Sequence, residues 1–163
     1  GLEIFQDLPQ ADLVLAPIGG GGLLSGVAAA AKLGGSGARV IGVEPELAGD
    51  ARASFERGEI VEFELAQTRR TMADGLRATR VGAVTFAHMR AFVDGVVTVS
   101  EEEIAEAMRR ILLDARLVAE PSGAVAAAAW MFRRDSLPAG ETAAAVVSGG
   151  NVEPDLLARI LTG

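Results

Sequence analysis

LVLAPIGGGGLLSG, residues 13–26, decides the fold. Its first six residues form a short apolar run that reads as a buried strand. Gly19, Gly20, Gly21 and Gly22 follow, and an alanine-rich helix is predicted over 23–33, closed by Gly34 and Gly35. A strand that runs through a glycine turn into a helix opens a parallel α/β unit. Glycine lets the backbone approach a ligand closely and take positive φ. The helix N-terminus aims N–H groups and partial positive charge at the same place. The segment therefore predicts a phosphate cradle. Four consecutive glycines lose much entropy on folding, so a ligand that needs the space explains them better than an empty turn.

The flanking sequence repeats the alternation. RVIGV at 39–43 reads as a second strand, followed by an acidic loop at 44–49 and a helix over 50–58. Residues 60–65 read as an edge strand or extended loop, TMADG at 71–75 as a loop, and 84–92 as a helix. GVVTV at 95–99 is a third buried strand. Ser100 with Glu103 three residues on forms a capping box for a helix reaching about residue 117. EPSG at 120–123 breaks the chain before a second alanine-rich helix that ends near 133. TAAAVV at 142–147 is a fourth strand, running into SGGN at 148–151 and a closing helix at 154–161. This order predicts an α/β fold of three layers, a parallel sheet with helices on both faces.

Composition narrows the function classes. The 163 residues suit one domain, and at 50% apolar and 23% charged they can build a core. A net charge of −7 argues against nucleic acid or an anionic membrane as partner, although backbone amides can still bind a small anion. With no cysteine there is no disulfide, thiolate nucleophile or thiolate metal site. The longest apolar runs, 27–31 and 124–132, are too short to span a bilayer, and no secretion signal is visible. A cytoplasmic protein is expected.

The phosphate has several candidate owners. No G-x-x-x-x-G-K-[ST] is present, which excludes a Walker-type nucleotide site. Gly20, Gly22 and Gly26 give a loose G-x-G-x-x-x-G, and Glu44 ends the second strand where a ribose-binding acid belongs. A dinucleotide-binding module thus remains an alternative.

Five segments in order carry a more specific signal: GGGGLLSG at 19–26, GVEPELAGD at 42–50, TMADG at 71–75, AEPSGA at 119–124 and VVSGGN at 146–151. VDGVVTVSEEEI at 93–104 fits between them. Together they resemble the C-terminal part of fold-type II pyridoxal-phosphate enzymes, in particular threonine/serine dehydratases and serine racemase, over nearly the whole chain. The resemblance implies a tryptophan synthase β-like sheet and pyridoxal 5'-phosphate as cofactor. It implies that Gly19, Gly20, Gly21, Gly22 and the Leu23 backbone hold the cofactor phosphate. Ser148, beside Gly149, matches the hydroxyl that meets the pyridine nitrogen, which suits β-elimination over transamination. Gly75 and Glu120 match positions that line the cofactor pocket. Glu44, the Ala48 carbonyl and Asp50 match a divalent-cation site for Mg²⁺ or Ca²⁺. The parent protein is expected to be a homodimer or homotetramer acting on a small hydroxy-amino acid, releasing a 2-oxo acid and ammonia.

One element of that chemistry is not found. A pyridoxal enzyme needs a lysine that bonds to the cofactor, and the single lysine here, Lys32, sits about ten residues past the cradle, roughly 15 Å along the helix. Lys32 reads as a solvated charge near a helix C-terminus. The family's lysine lies in an S-F-K-x-R-G-A-like motif followed by an S-x-G-N-H-like loop, and neither occurs here. Residues 1–163 are therefore expected to be the C-terminal part of the large cofactor domain, without the lysine-bearing part and the small domain, and inactive alone. An open apolar face is expected where further strands would pack. His88, the only histidine, reads as a structural or surface residue.

Overall fold

The computed structural model describes residues 1–162. Gly163, the last residue of the expected domain, lies outside the described residues. A four-stranded parallel sheet in the order β3-β2-β1-β4 is built from β1 (Leu13–Pro17), β2 (Arg39–Pro45), β3 (Gly95–Val99) and β4 (Ala143–Ala145). β1 is buried along its whole length because it is central and covered on both faces. Its odd residues, Leu13 and Leu15, point into one apolar cluster with α6 (Glu101–Ala115) and α7 (Pro121–Phe132). Its even residues, Val14 and Ala16, point into the other with α2 (Gly22–Leu33), α3 (Asp50–Arg57) and α5 (Ala83–Phe92). That alternation makes the three layers, as the strand–helix order predicts. α1 (Leu2–Asp7) packs beside α2, the short α4 (Leu65–Thr68) lies in the 58–82 connection, and α8 (Pro154–Thr162) packs beside α6.

Two strands differ from expectation. β3 was expected to be buried, yet only Val99 is, and β4 shrinks to three half-buried residues. Both are edges of the sheet, and their apolar sequences give no sign of which neighbour is lacking. Residues 60–64 take the loop alternative, with Phe63 N–H donating to the Thr79 carbonyl at 2.8 Å. EPSG does not simply break the chain: Pro121 is the first residue of α7, where its missing N–H costs nothing, with Glu120 as N-cap. α7 is buried continuously from Pro121 to Ala129, which explains why it is apolar on every side. The capping box at Ser100 and Glu103 is formed. A groove between α1 and α2, flanked by exposed Leu2, Leu23 and Leu33, lies on a helix face and not at an edge of the sheet.

The strand order positions the site. β1 leads into α2 on one face, whereas its neighbour β4 leads into α8, whose Ile160 packs on the other face. Loops that leave adjacent parallel strands in opposite directions open a crevice at the carboxyl ends of the strands. Here the two loops are the glycine turn after β1 and the SGGN turn after β4.

Candidate functional site

Each glycine in the turn has its own geometry. Gly21 adopts φ +89°, and a Cβ there would sit 3.0 Å from Thr85 Oγ1 and 3.2 Å from Met89 Sδ. A Cβ on Gly19 would sit 3.1 Å from the Gly75 carbonyl oxygen. Gly20 and Gly22 differ, since a Cβ on either would meet nothing within 4 Å. Gly19 and Gly21 thus face protein, and Gly20 and Gly22 face open space. Among the described residues, the N–H groups from Gly20 to Leu24 have no protein acceptor, and Gly22 is the first residue of α2. Unpaired amides at a helix N-terminus beside a glycine-lined space suit an anion the size of a phosphate.

The TMADG loop and the SGGN loop close on this turn through α7. Gly75 N–H donates to Ser122 Oγ at 2.9 Å, and a Cβ on Gly75 would lie 4.0 Å from Glu120 Oε1. The Glu120 carboxylate accepts from Asn151 N–H at 2.8 Å, and the Glu120 backbone N–H donates to the Gly149 carbonyl at 3.0 Å. A Cβ on Gly149 would lie 2.7 Å from that carboxylate. The fold therefore gathers Gly19, Gly75, Glu120 and Gly149, which are distant in sequence. Ser148 begins the same loop and is exposed.

Two supporting residues carry little signal in the linear sequence. Ser122 was visible only as part of AEPSGA, although a serine at the second position of a buried helix needs a partner. Glu101 read only as an acid in a capped first turn, yet its carboxylate accepts from Met72 N–H at 2.7 Å and so anchors the TMADG loop.

The acidic segment forms a separate, enclosed cluster. Glu44 and Asp50 are 1% and 2% exposed, and Ala48, in the turn between them, is also buried. The Glu44 carboxylate accepts from Arg52 N–H at 2.6 Å and Ala51 N–H at 3.2 Å, capping α3. Burial pushes the Glu44 carboxyl well above its ordinary range, the neighbouring Asp50 adds to this, and the backbone bonds oppose it. Burial likewise pushes Asp50 up to about 7. Asp50 Oδ2 is buried without any hydrogen-bond partner. Two adjacent buried carboxyls with an unsatisfied oxygen fit a hard cation with oxygen ligands. No group of three or more His, Cys, Asp or Glu side chains is arranged around a metal among the described residues, so carbonyl or water oxygens would complete such a shell. The same geometry removes the dinucleotide role for Glu44, because its carboxylate is buried and committed to α3.

Lys32 sits in the last turn of α2, away from the glycine turn and partly exposed, and it is held by an ion pair. Its Nζ lies 2.9 Å from Asp94 Oδ2 and 3.2 Å from the Ala38 carbonyl, and the side chain is about one-third exposed. Ala38 and Asp94 directly precede β2 and β3, so Lys32 lies at the amino ends of the strands, opposite the cradle. Replacing it with methionine is expected to cost at most about 1 kcal/mol, typical of a half-exposed ion pair. Borohydride treatment with pyridoxal phosphate should leave Lys32 unlabelled in mass spectra of the native chain, and stoichiometric labelling would contradict this placement.

A doubly wound parallel sheet with an amide-lined glycine turn at its topological switch point is the architecture of phosphate-anchored ligand-binding domains. Within that class the chain belongs to the pyridoxal-phosphate dependent enzyme family, which matches residues 1–149. It is 41% identical to an L-threonine ammonia-lyase from Thermotoga maritima, over 99% of this chain and 39% of that protein. The crystal structure of a T.th. threonine deaminase superposes with a TM-score of 0.85 at 42% identity, over 93% of this chain and 54% of that one. Maize serine racemase gives 0.86 at 34% identity, over 97% and 48% respectively. The chain thus spans about two-fifths to one-half of the length of these proteins. No helix among the described residues is long and apolar enough to cross a membrane.

Proposed function

We propose that this chain is the C-terminal part of the large cofactor domain of a threonine/serine ammonia-lyase. The parent protein converts L-threonine or L-serine to a 2-oxo acid and ammonia in the cytoplasm, as a homodimer or homotetramer, and this chain alone is inactive. The observation that carries the reading is the open, amide-lined turn at Gly20 and Gly22, set beside Gly75 and Glu120. Pyridoxal phosphate, when bound, supplies an electron sink that makes the α-hydrogen of an amino acid acidic. The residues of this chain hold and tune it. The amides of residues 19–23 bind its phosphate, Gly75, Glu120 and Gly149 wall its pocket, and the Ser148 hydroxyl meets its ring nitrogen. A hydroxyl at Ser148, unlike a carboxylate, would not hold that nitrogen protonated, a setting that suits loss of a β-hydroxyl over transamination.

Glu44, the Ala48 carbonyl and Asp50 hold Mg²⁺ or Ca²⁺, a reading supported by the unpartnered Asp50 oxygen. Serine racemase chemistry is the second reading, favoured by the likeness to the maize enzyme.

Separate titrations of the chain with pyridoxal phosphate and with NAD test the cofactor assignment. Saturable binding of pyridoxal phosphate with no response to NAD is expected, and the reverse pattern would sink the proposal. For the parent protein, 2-oxo acid formation from L-threonine separates ammonia-lyase from D-serine formation by a racemase.

A further inference from the structure

We infer that Thr85 is a positioning residue for the cofactor phosphate, acting by locking one peptide plane of the glycine turn. The inference rests on the cradle assignment above and extends it to a residue 65 positions away in sequence.

The Thr85 hydroxyl lies 2.7 Å from the Gly20 carbonyl and 2.9 Å from the Gly82 carbonyl, and its single hydrogen follows the shorter contact, to Gly20. The Gly82 N–H donates to the same oxygen at 3.2 Å. Ser25 in α2 returns a bond from its hydroxyl to the Thr85 carbonyl at 3.1 Å. Gly20's carbonyl is therefore held toward the start of α5 by two donors. A trans peptide unit is planar, with its C=O and N–H pointing in opposite directions. Fixing the Gly20 carbonyl toward α5 thus fixes the Gly21 N–H away from α5. The turn beside that peptide is open, since Gly20 and Gly22 are exposed and a Cβ on either meets nothing within 4 Å.

The lock matters because glycine flanks this peptide on both sides. With no Cβ on either residue, a flip that exchanges the two ends of the plane meets little steric resistance. A flipped plane would present a carbonyl oxygen to the phosphate in place of an amide, turning an attraction into a repulsion. Gly21 gives independent support for the close approach. It sits at φ +89°, and Thr85 Oγ1 occupies the space a side chain there would need. The turn and the α5 N-terminus are fitted to each other. Thr85 touches no ligand and works only through the Gly20–Gly21 peptide.

The test compares Thr85→Val with Thr85→Ser in this chain. Valine keeps the shape and removes the donor, and serine restores it. Two probes are titrated, pyridoxal 5'-phosphate and pyridoxal, which lacks the phosphate. Thr85→Val should weaken pyridoxal phosphate about tenfold and leave pyridoxal unchanged, while Thr85→Ser stays within about twofold of the native chain. Equal weakening of both probes, or none, overturns the inference. Hydrogen exchange of the Gly21 and Gly22 amides in ligand-free protein gives a second readout. Thr85→Val should alter exchange in the turn with the rest of α2 unchanged, and an unaltered turn overturns the lock. If the native chain binds neither probe, the cradle assignment fails, and the exchange measurement still decides whether Thr85 holds the turn.

Discussion

Gly22→Asp should abolish useful binding of pyridoxal phosphate, weakening it about a hundredfold or more, while the protein stays folded. Nothing lies within 4 Å of a Cβ at Gly22, so the new side chain has room. Its φ is not positive, so no backbone strain is added. An acid in the first turn of a helix stabilises the helix by about 0.3–1 kcal/mol. The same carboxylate adds a negative charge at the first residue of α2, beside the unpaired amides of the turn. A hundredfold loss corresponds to about 2.7 kcal/mol, modest for opposing an anion with an anion. Absorbance or fluorescence titration measures the loss, and a thermal melt measures the fold. Undiminished binding with an unchanged melting temperature would mean that the cradle lies elsewhere. The contrast with Gly21 is instructive. There φ +89° and the Thr85 contact make substitution a folding defect, and loss of binding would carry no information about the ligand.

The second large effect concerns the buried acids. Mg²⁺ or Ca²⁺ at a hundred times its dissociation constant should stabilise the fold by about 2.7 kcal/mol. That is a rise of about 5–10 °C in Tm for a domain of this size. The dependence on pH has a defined sign. Burial raises the Asp50 carboxyl from its ordinary 3.8 to about 7. Its contribution to the stability of the metal-free protein is therefore complete below 3.8 and is lost as pH rises through about 7. Glu44 is displaced in the same direction. A cation favours the charged oxygens, so its stabilisation should be largest at about pH 8 and fade near pH 5, where protons compete. Melts with and without chelator at both pH values measure this. In Asp50→Asn the rise should vanish. A rise of the same size in that variant, or none in the native chain at about pH 8, would assign the unpartnered oxygen another role.

The glycine turn, the capping box, the strand–helix alternation and the acidic loop could all be read from the linear sequence. Each depends on residues within a few positions of one another, where backbone sterics and local hydrogen bonds act. The sequence could also place Gly75, Glu120 and Gly149 as candidates by resemblance, without indicating what they touch. Only the tertiary structure decided that β3 and β4 are edges, because burial depends on which strands stand beside them. It alone paired Lys32 with Asp94, 62 positions away. It alone turned Glu44 from a candidate ribose ligand into a buried cap on α3, and Thr85 from an ordinary helix residue into the hydroxyl that grips Gly20. The physical reason is the same in each case. Propensity and motif are local, whereas the partner that sets a side chain's charge, exposure and task is brought to it by packing.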